Sequence, residues 1–258
     1  MNEMYLNGFY GLEGDVSPEE LAAFIPPQRL RRIEKLGKNV LYCACHACTQ
    51  AGADIQTPKT WGLSVAADAG SLESTCKFMD TIIEDGDELS SPTAFASSVH
   101  NSTGLMLSVF LHLSGPCVTS GQFDFSFAAA WLSAAQFLRR GMCEQALVAV
   151  AEDLNPVAAD QSPAQAEQFK PVLRAPQGPF VRRAAAFVLS QRPTEHTLFC
   201  LRRFAFARTE KPAALSPQQT NLSGAQRLVA CLKTKQPFAF TDAFADAFMQ
   251  LEGTPYVN

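Results

Sequence analysis

Segments with helical and with strand periodicity alternate along most of this chain, and that alternation restricts it to a layered α/β fold built on a mixed sheet. Met4–Tyr10 reads as an opening strand. Ser17-Pro18-Glu19-Glu20 is a capping box with Pro at the first helical position, and Pro26-Pro27 ends the short helix that follows. The apolar spacing predicts a long helix from Arg29 to Ala51, closed by Gly52. Trp61–Ala67 reads as a buried strand and Leu72–Glu84 as a helix. Ser90-Ser91-Pro92 is a breaker, followed by a helix over Ser97–Leu113, a short strand Cys117–Gly121 and a helix Phe125–Arg140 stopped by Gly141. Gln145–Ala151 is a continuous apolar strand, and Glu152–Gly178 is Pro-, Gln- and Ala-rich and predicts a long loop. Arg182–Ser190 and Leu198–Ala207 predict two strands that pair antiparallel with each other. In the tail, Gly224–Lys233 and Asp242–Leu251 both have a helical look.

Composition excludes several classes. Of 258 residues 47% are hydrophobic and 18% charged, with 19 Phe, which is not the make-up of a disordered chain. Lys and Arg total 21 against 25 Asp and Glu, a net charge of −4 that argues against nucleic acid as the main partner. Apolar runs such as Leu105–Leu113 and Phe125–Ala135 are too short to span a bilayer, and Met1–Tyr10 lacks the features of a signal peptide. A cytoplasmic protein is expected, and Asn101 and Asn221, each in an Asn-x-Ser/Thr match, then carry no meaning.

The eight cysteines fall mostly in apolar runs and are expected to be free thiols. Cys43, Cys45, His46 and Cys48 look like a zinc set, but on one helix their side chains diverge, so no metal and no other cofactor is expected. There is no Gly-x-Ser-x-Gly elbow, phosphate-binding Gly-rich loop or paired-carboxylate motif.

Between Ser91 and Asp153 the order of motifs becomes specific. Ser-Pro-Thr-Ala-Phe-Ala-Ser-Ser-Val-His-Asn (91–101) precedes Gly104, then Gly115-Pro116, a strand to Gly121, a helix to Arg140-Gly141, and Ala146-Leu-Val-Ala-Val-Ala-Glu-Asp153. Arg183-Ala-Ala-Ala-Phe-Val-Leu189 follows the long loop. This pattern resembles the amino-terminal half of a β-ketoacyl synthase, a condensing enzyme of thiolase-like fold, and the likeness covers about residues 1–208, leaving 209–258 as a mostly helical, unassigned extension.

In that family a nucleophilic Cys opens the helix after the Gly-Pro strand. The ungapped alignment puts Asp124 there, and Asp cannot form the thioester that condensation requires. Its residue type alone suits a helix N-cap. Cys117 lies at the start of the strand, seven positions early, and is not expected to substitute. The family's catalytic His or Asn residues come from a carboxyl-terminal half that this chain does not extend into, and His46, His100, His112 and His196 read as structural.

The resemblance is strongest to chain length factors, ketosynthase-like subunits without the Cys that pair with an intact ketosynthase in type II polyketide and aryl polyene pathways; the short form resembles those of aryl polyene clusters. It implies a heterodimer with a full-length β-ketoacyl synthase and an acyl carrier protein that delivers the phosphopantetheine-linked chain. It also implies that Cys117, Val118 and Thr119 form the partner interface, where Pro in place of Val118 would weaken the pair. Thr75, Phe78, Met79, Ile82 and Phe95 would shape the end of the acyl tunnel, although the same side chains suit an ordinary core. Two other readings remain open: an independent acyl-transfer or hydrolytic enzyme, and an acyl-binding scaffold.

Overall fold

A computed structural model of the chain describes residues 3–85, 91–122, 125–154, 181–208, 224–243 and 247–257. The elements are β1 (Met4–Glu13), α1 (Pro18–Ala22), a 3-10 turn (Pro27–Leu30), α2 (Lys35–Gln50), β2 (Gly62–Ala67), α3 (Leu72–Asp85), α4 (Pro92–Ser98) and α5 (Ser102–Phe110). They continue with β3 (Cys117–Ser120), α6 (Ser126–Arg139), β4 (Gln145–Leu154), β5 (Val181–Ser190), β6 (Phe199–Arg208), α7 (Gly224–Lys233), β7 (Phe238–Ala243) and β8 (Ala247–Pro255).

The strands form one mixed sheet in the order β3-β2-β4-β5-β1-β6-β8-β7. β2 runs parallel to β3 and β4, whereas β5 is antiparallel to β4 and β1. Strand alternation sorts the side chains into two cores. From β4, Ala146, Val148 and Val150 join Trp131 and Phe127 of α6. Leu147, Ala149 and Ala151 join Cys43, Ala44 and Ala47 of α2. The sheet is therefore covered on both faces, which is why β4 is apolar at consecutive positions. Small residues let α2 lie close: a Cβ on Gly8 would stand 2.1 Å from the Ala47 carbonyl oxygen.

The capping box forms: Ser17 Oγ accepts from Glu20 N–H, and Glu20 in turn accepts from Ser17 N–H. Several expected boundaries shift. The long helix begins at Lys35, not Arg29, because Pro26-Pro27 feeds a 3-10 turn and Glu34 is extended at the N-cap. The helix expected over Ser97–Leu113 is two helices, α4 and α5, separated where Val99 turns extended. α4 starts at Pro92, with Ser91 Oγ accepting the Ala94 N–H at 3.2 Å. β4 runs on to Leu154; the rest of the expected loop lies outside the described residues.

β5 and β6 do not pair with each other. β1 lies between them, antiparallel to both, so the first strand of the chain closes a gap that sequence neighbours were expected to close. Asp242–Leu251 is not helical either. It falls across β7 and β8, which extend the sheet from the edge of β6. The period there is two: Phe240 and Asp242 are buried on β7, and Met249 and Leu251 on β8. The tail also covers part of the first core, where α7 buries Ala225, Leu228, Val229 and Leu232. Gln226 Nε2 donates to the carbonyls of Leu12 and Ala184 at 3.0 and 3.2 Å.

Candidate functional site

In an open sheet, ligand sites gather at the carboxyl ends of the parallel strands. Here those are the ends of β2, β3 and β4, with α3 contacting β4 and α5 contacting β2 and β3. Among the described residues β3 stands at the sheet edge, paired on one side with β2 in the register Leu63↔Cys117 to Ala66↔Ser120. The Leu63 N–H donates to the Pro116 carbonyl at 2.8 Å. Main-chain groups alternate sides along a strand, so Val118 and Ser120 turn theirs to β2, while Cys117 and Thr119 direct theirs to the free edge. Pro at Val118 would therefore cut the ladder with β2, and the outward groups of Cys117 and Thr119 are the ones left for a partner strand. Cys117 and Thr119 point their side chains at α5, where a Cβ on Gly104 would meet Thr119 Oγ1 at 3.0 Å and Cys117 Sγ at 3.5 Å.

α3 is pinned at its amino end and open along its length. Arg182, opening β5, is 5% exposed; it donates to both Asp15 oxygens at 3.0 Å and to Glu73 of α3. Asp153 Oδ2 accepts the Glu73 N–H at 2.9 Å, and Glu34 accepts from the hydroxyls of Ser71 and Ser74. Burial opposes ionisation of Glu73, but its hydrogen bonds from Lys77 and Arg182 outweigh that and hold its carboxyl below the usual range. For Asp153 burial wins and raises the carboxyl, despite the Glu73 N–H and the Arg182 charge. These acids and Arg182 were missed by sequence reasoning; the signal was the charged Glu152-Asp153 that ends β4 opposite the Arg182-Arg183 that opens β5.

Beyond this anchor, the described side chains of α3 are half-buried or exposed. Of the five residues expected at a tunnel end, three are brought together with α4. The Phe78 and Phe95 rings lie 5.4 Å apart, and Thr75 Oγ1 donates toward the Ser71 and Ser98 carbonyls at 3.1 and 3.2 Å. Ile82 is half-buried, and Met79 faces outward. Met79, Phe95, Leu105 and Val109 are 41%, 54%, 66% and 56% exposed, so α3, α4 and α5 each carry exposed apolar side chains, and α5 packs against β3.

Asp124 lies outside the described residues. The N-cap position of α6 is Phe125, without a side-chain cap, so the cap expected of Asp124 falls one residue later in the chain. Ser126 Oγ instead accepts the Gln122 N–H at 2.8 Å. His100 reaches this corner: Cβ atoms on Gly121 and Gly70 would come within 2.9 and 3.3 Å of its Cδ2. Its place between the loops after β2 and β3 had no signal beyond the motif around it.

Burial pushes every one of the eight thiols up, Cys45 and Cys48 to about 12, and Cys117 is among those raised. At neutral pH all eight are held as thiols, the poor nucleophile form. The zinc-like set is not gathered either. His46 stacks on Tyr10 at 4.3 Å with Tyr42 and Phe24 edge-on, while Cys43, Cys45 and Cys48 sit in the core. Among the described residues, no group of three or more His, Cys, Asp or Glu is placed to hold a metal ion, and no helix is long and apolar enough to cross a membrane.

The model of the β-ketoacyl synthase N-terminal domain matches residues 12–245. No curated protein sequence matches the chain. Among solved structures it is similar to a chain of the ketosynthase ApeO in complex with its chain length factor ApeC from Xenorhabdus doucetiae, at 14% identity and TM-score 0.62, covering 96% of this chain and 98% of that one. It is also similar to a chain of AntDE:AntF, a type II polyketide acyl carrier protein in complex with its ketosynthase, at 13% identity and TM-score 0.71, covering 99% of each. A third likeness is to the ishigamide ketosynthase/chain length factor, at 12% identity and TM-score 0.60, covering 90% of this chain and 72% of that one. At these identities the likeness establishes the fold, a thiolase-like layered sheet.

Proposed function

The chain belongs to the β-ketoacyl synthase N-terminal domain family, and from that membership we propose that it is a chain length factor. It pairs with a full-length β-ketoacyl synthase, lends one wall to the acyl tunnel, and performs no condensation itself. The observation that carries this reading is the edge of β3, unpaired among the described residues, beside α5, whose Leu105 and Val109 are exposed. A bare edge with an adjoining apolar surface is an aggregation hazard unless another chain covers it. A synthase strand pairing with the outward groups of Cys117 and Thr119 would extend the sheet and cover Met79, Leu105 and Val109.

The chemistry agrees with a non-catalytic subunit. Condensation starts from a thiolate that takes the acyl group as a thioester; Asp124 at the aligned position has no sulfur, and the thiols of this chain are all raised. The synthase would supply the nucleophilic Cys and the residues that decarboxylate the malonyl unit. An acyl carrier protein would bring the substrate; AntDE:AntF, whose fold this chain shares, is a type II polyketide acyl carrier protein in complex with its ketosynthase. The pathway class we assign is type II polyketide or aryl polyene synthesis, in the cytoplasm.

The test is co-expression with the candidate ketosynthase of the same operon, followed by size-exclusion chromatography and a condensation assay with malonyl-loaded carrier protein. A one-to-one complex that alone makes product supports the reading. Turnover by the isolated chain would favour an independent acyl-transfer or hydrolytic enzyme, and a stable monomer that binds acyl chains would favour a scaffold.

A further inference from the structure

His100 sits in the turn between α4 and α5, and the turn is held from both sides. The Ser102 N–H donates to the Val99 carbonyl at 3.0 Å. Thr75 Oγ1 ties the Ser98 carbonyl to α3 at 3.2 Å, and Gly104 of α5 lies close against Thr119 of β3. The ring is fixed as well, in a slot between Gly70, after β2, and Gly121, after β3. A Cβ on Gly70 would meet Cγ and Cδ2 at 3.3 Å and Nδ1 at 3.4 Å, so Gly70 lies over the ring face. A Cβ on Gly121 would meet Cδ2 at 2.9 Å and Nε2 at 3.5 Å, so the Nε2 edge is turned to the end of β3.

This ring makes no hydrogen bond of its own within the described chain. Among the described residues neither nitrogen has a hydrogen-bond or ion-pair partner, and the residue is exposed. By contrast His46 is packed among Tyr10, Tyr42 and Phe24, and His196 lies beside Glu195 and over Gly52. A polar group held in one orientation without an internal partner is prepared for an outside one. Its neighbourhood selects the partner. Cys117 and Thr119 turn their main-chain groups to the free edge, and the next outward position in that alternation is Gly121, where β3 has ended. A strand laid on this edge loses its ladder there, and its next carbonyl needs another donor.

We propose that His100 closes the sheet shared with the synthase: its imidazole N–H donates to a main-chain carbonyl of the synthase strand where that strand runs past the end of β3. The proposal rests on the chain-length-factor reading for the presence of that strand and adds a contact that β3 itself cannot make. An acyl chain in transit offers no acceptor at a fixed place, whereas a paired strand presents its carbonyls at regular spacing.

The experiment measures the affinity of the full chain for the ketosynthase of the same operon by biolayer interferometry, with thermal melts of each isolated variant. His100→Leu fills the slot without a donor and is expected to weaken the pair about fivefold, with the isolated chain melting like the parent. His100→Gln keeps a donor and should retain most of the affinity. Should His100→Leu fail to fold, His100→Ala is expected to show the same loss. Parent-like affinity of a folded Leu or Ala variant overturns the proposal, and so does an equal loss in the Gln variant. A melt lowered in the isolated Leu variant, with affinity unchanged, would make the ring a packing group and overturns it too. So would parent affinity together with altered product lengths by mass spectrometry, which would turn the ring toward the acyl chain. These outcomes leave the chain-length-factor reading standing, because the pair still forms; a parent that never meets the synthase sinks both.

Discussion

The rings of Phe78 and Phe95 lie 5.4 Å apart and tilted by 55°, so the aromatic side chains of α3 and α4 meet at one point. If that point closes the acyl tunnel, its bulk sets the product length. Phe78→Ala and Phe95→Ala are expected to shift products of the complex to longer chains, since each further buried methylene contributes about 0.8 kcal/mol. Met79→Ala should shift them less, its side chain being 41% exposed. Mass spectrometry of products from fully assembled variants checks this; the parent length distribution at both aromatic positions would remove α3 and α4 from the tunnel.

The outward main-chain groups of Cys117 and Thr119 separate two proline substitutions one residue apart. Thr119→Pro should loosen the pair with the synthase and leave the isolated chain close to its parent stability. Val118→Pro should instead destabilise the chain, because the lost donor belongs to the ladder with β2. Titrated chromatography and thermal melts distinguish them, and equal effects of the two on assembly would refute the strand alternation argued here.

Much of this architecture was legible in the sequence because its punctuation is local. Ser17, Pro92, Gly52 and Gly141 mark element ends through their own backbone preferences. What stayed hidden was non-local. Nothing in residues 182–207 says that Met4–Glu13 will lie between their two strands, and Asp242–Leu251 became strand because the edge of β6 offered a ladder. The same holds at the site. Thr75, Phe78 and Phe95 are proposed from spacing and resemblance, whereas the clamp of Arg182 on Asp15 and Glu73 joins residues up to 167 positions apart.

That clamp should be worth more than any surface ion pair. Arg182→Met leaves Asp153 and Glu73 without their buried cation, and loss of one partner from such a group costs about 3–5 kcal/mol. Urea denaturation should report it, with Arg203→Met as the control, since its pair with Glu252 is about half-exposed. Equal losses at the two positions would contradict the anchoring role.

His46 predicts a pH dependence. Burial among Tyr10, Tyr42 and Phe24 lowers its pKa from 6.5, outweighing the pull of Glu20. The unfolded chain then binds a proton that the folded chain refuses, so stability falls as pH drops below about 6.5 toward the folded pKa. His46→Phe should flatten the dependence of Tm on pH in that window, and an unchanged slope would show that the ring titrates freely in the folded protein.

Asp124→Ala should leave product formation essentially unchanged in a complex that still assembles, because the proposed nucleophile belongs to the synthase.

The central claim is that this chain works only as half of a pair, and intact-complex mass spectrometry after co-expression tests it most directly. The account predicts a one-to-one assembly with the ketosynthase, in which an acyl group trapped from loaded carrier protein is found on the synthase Cys and never on this chain. An acyl adduct on this chain, or a full rate of condensation by the synthase in its absence, would contradict it.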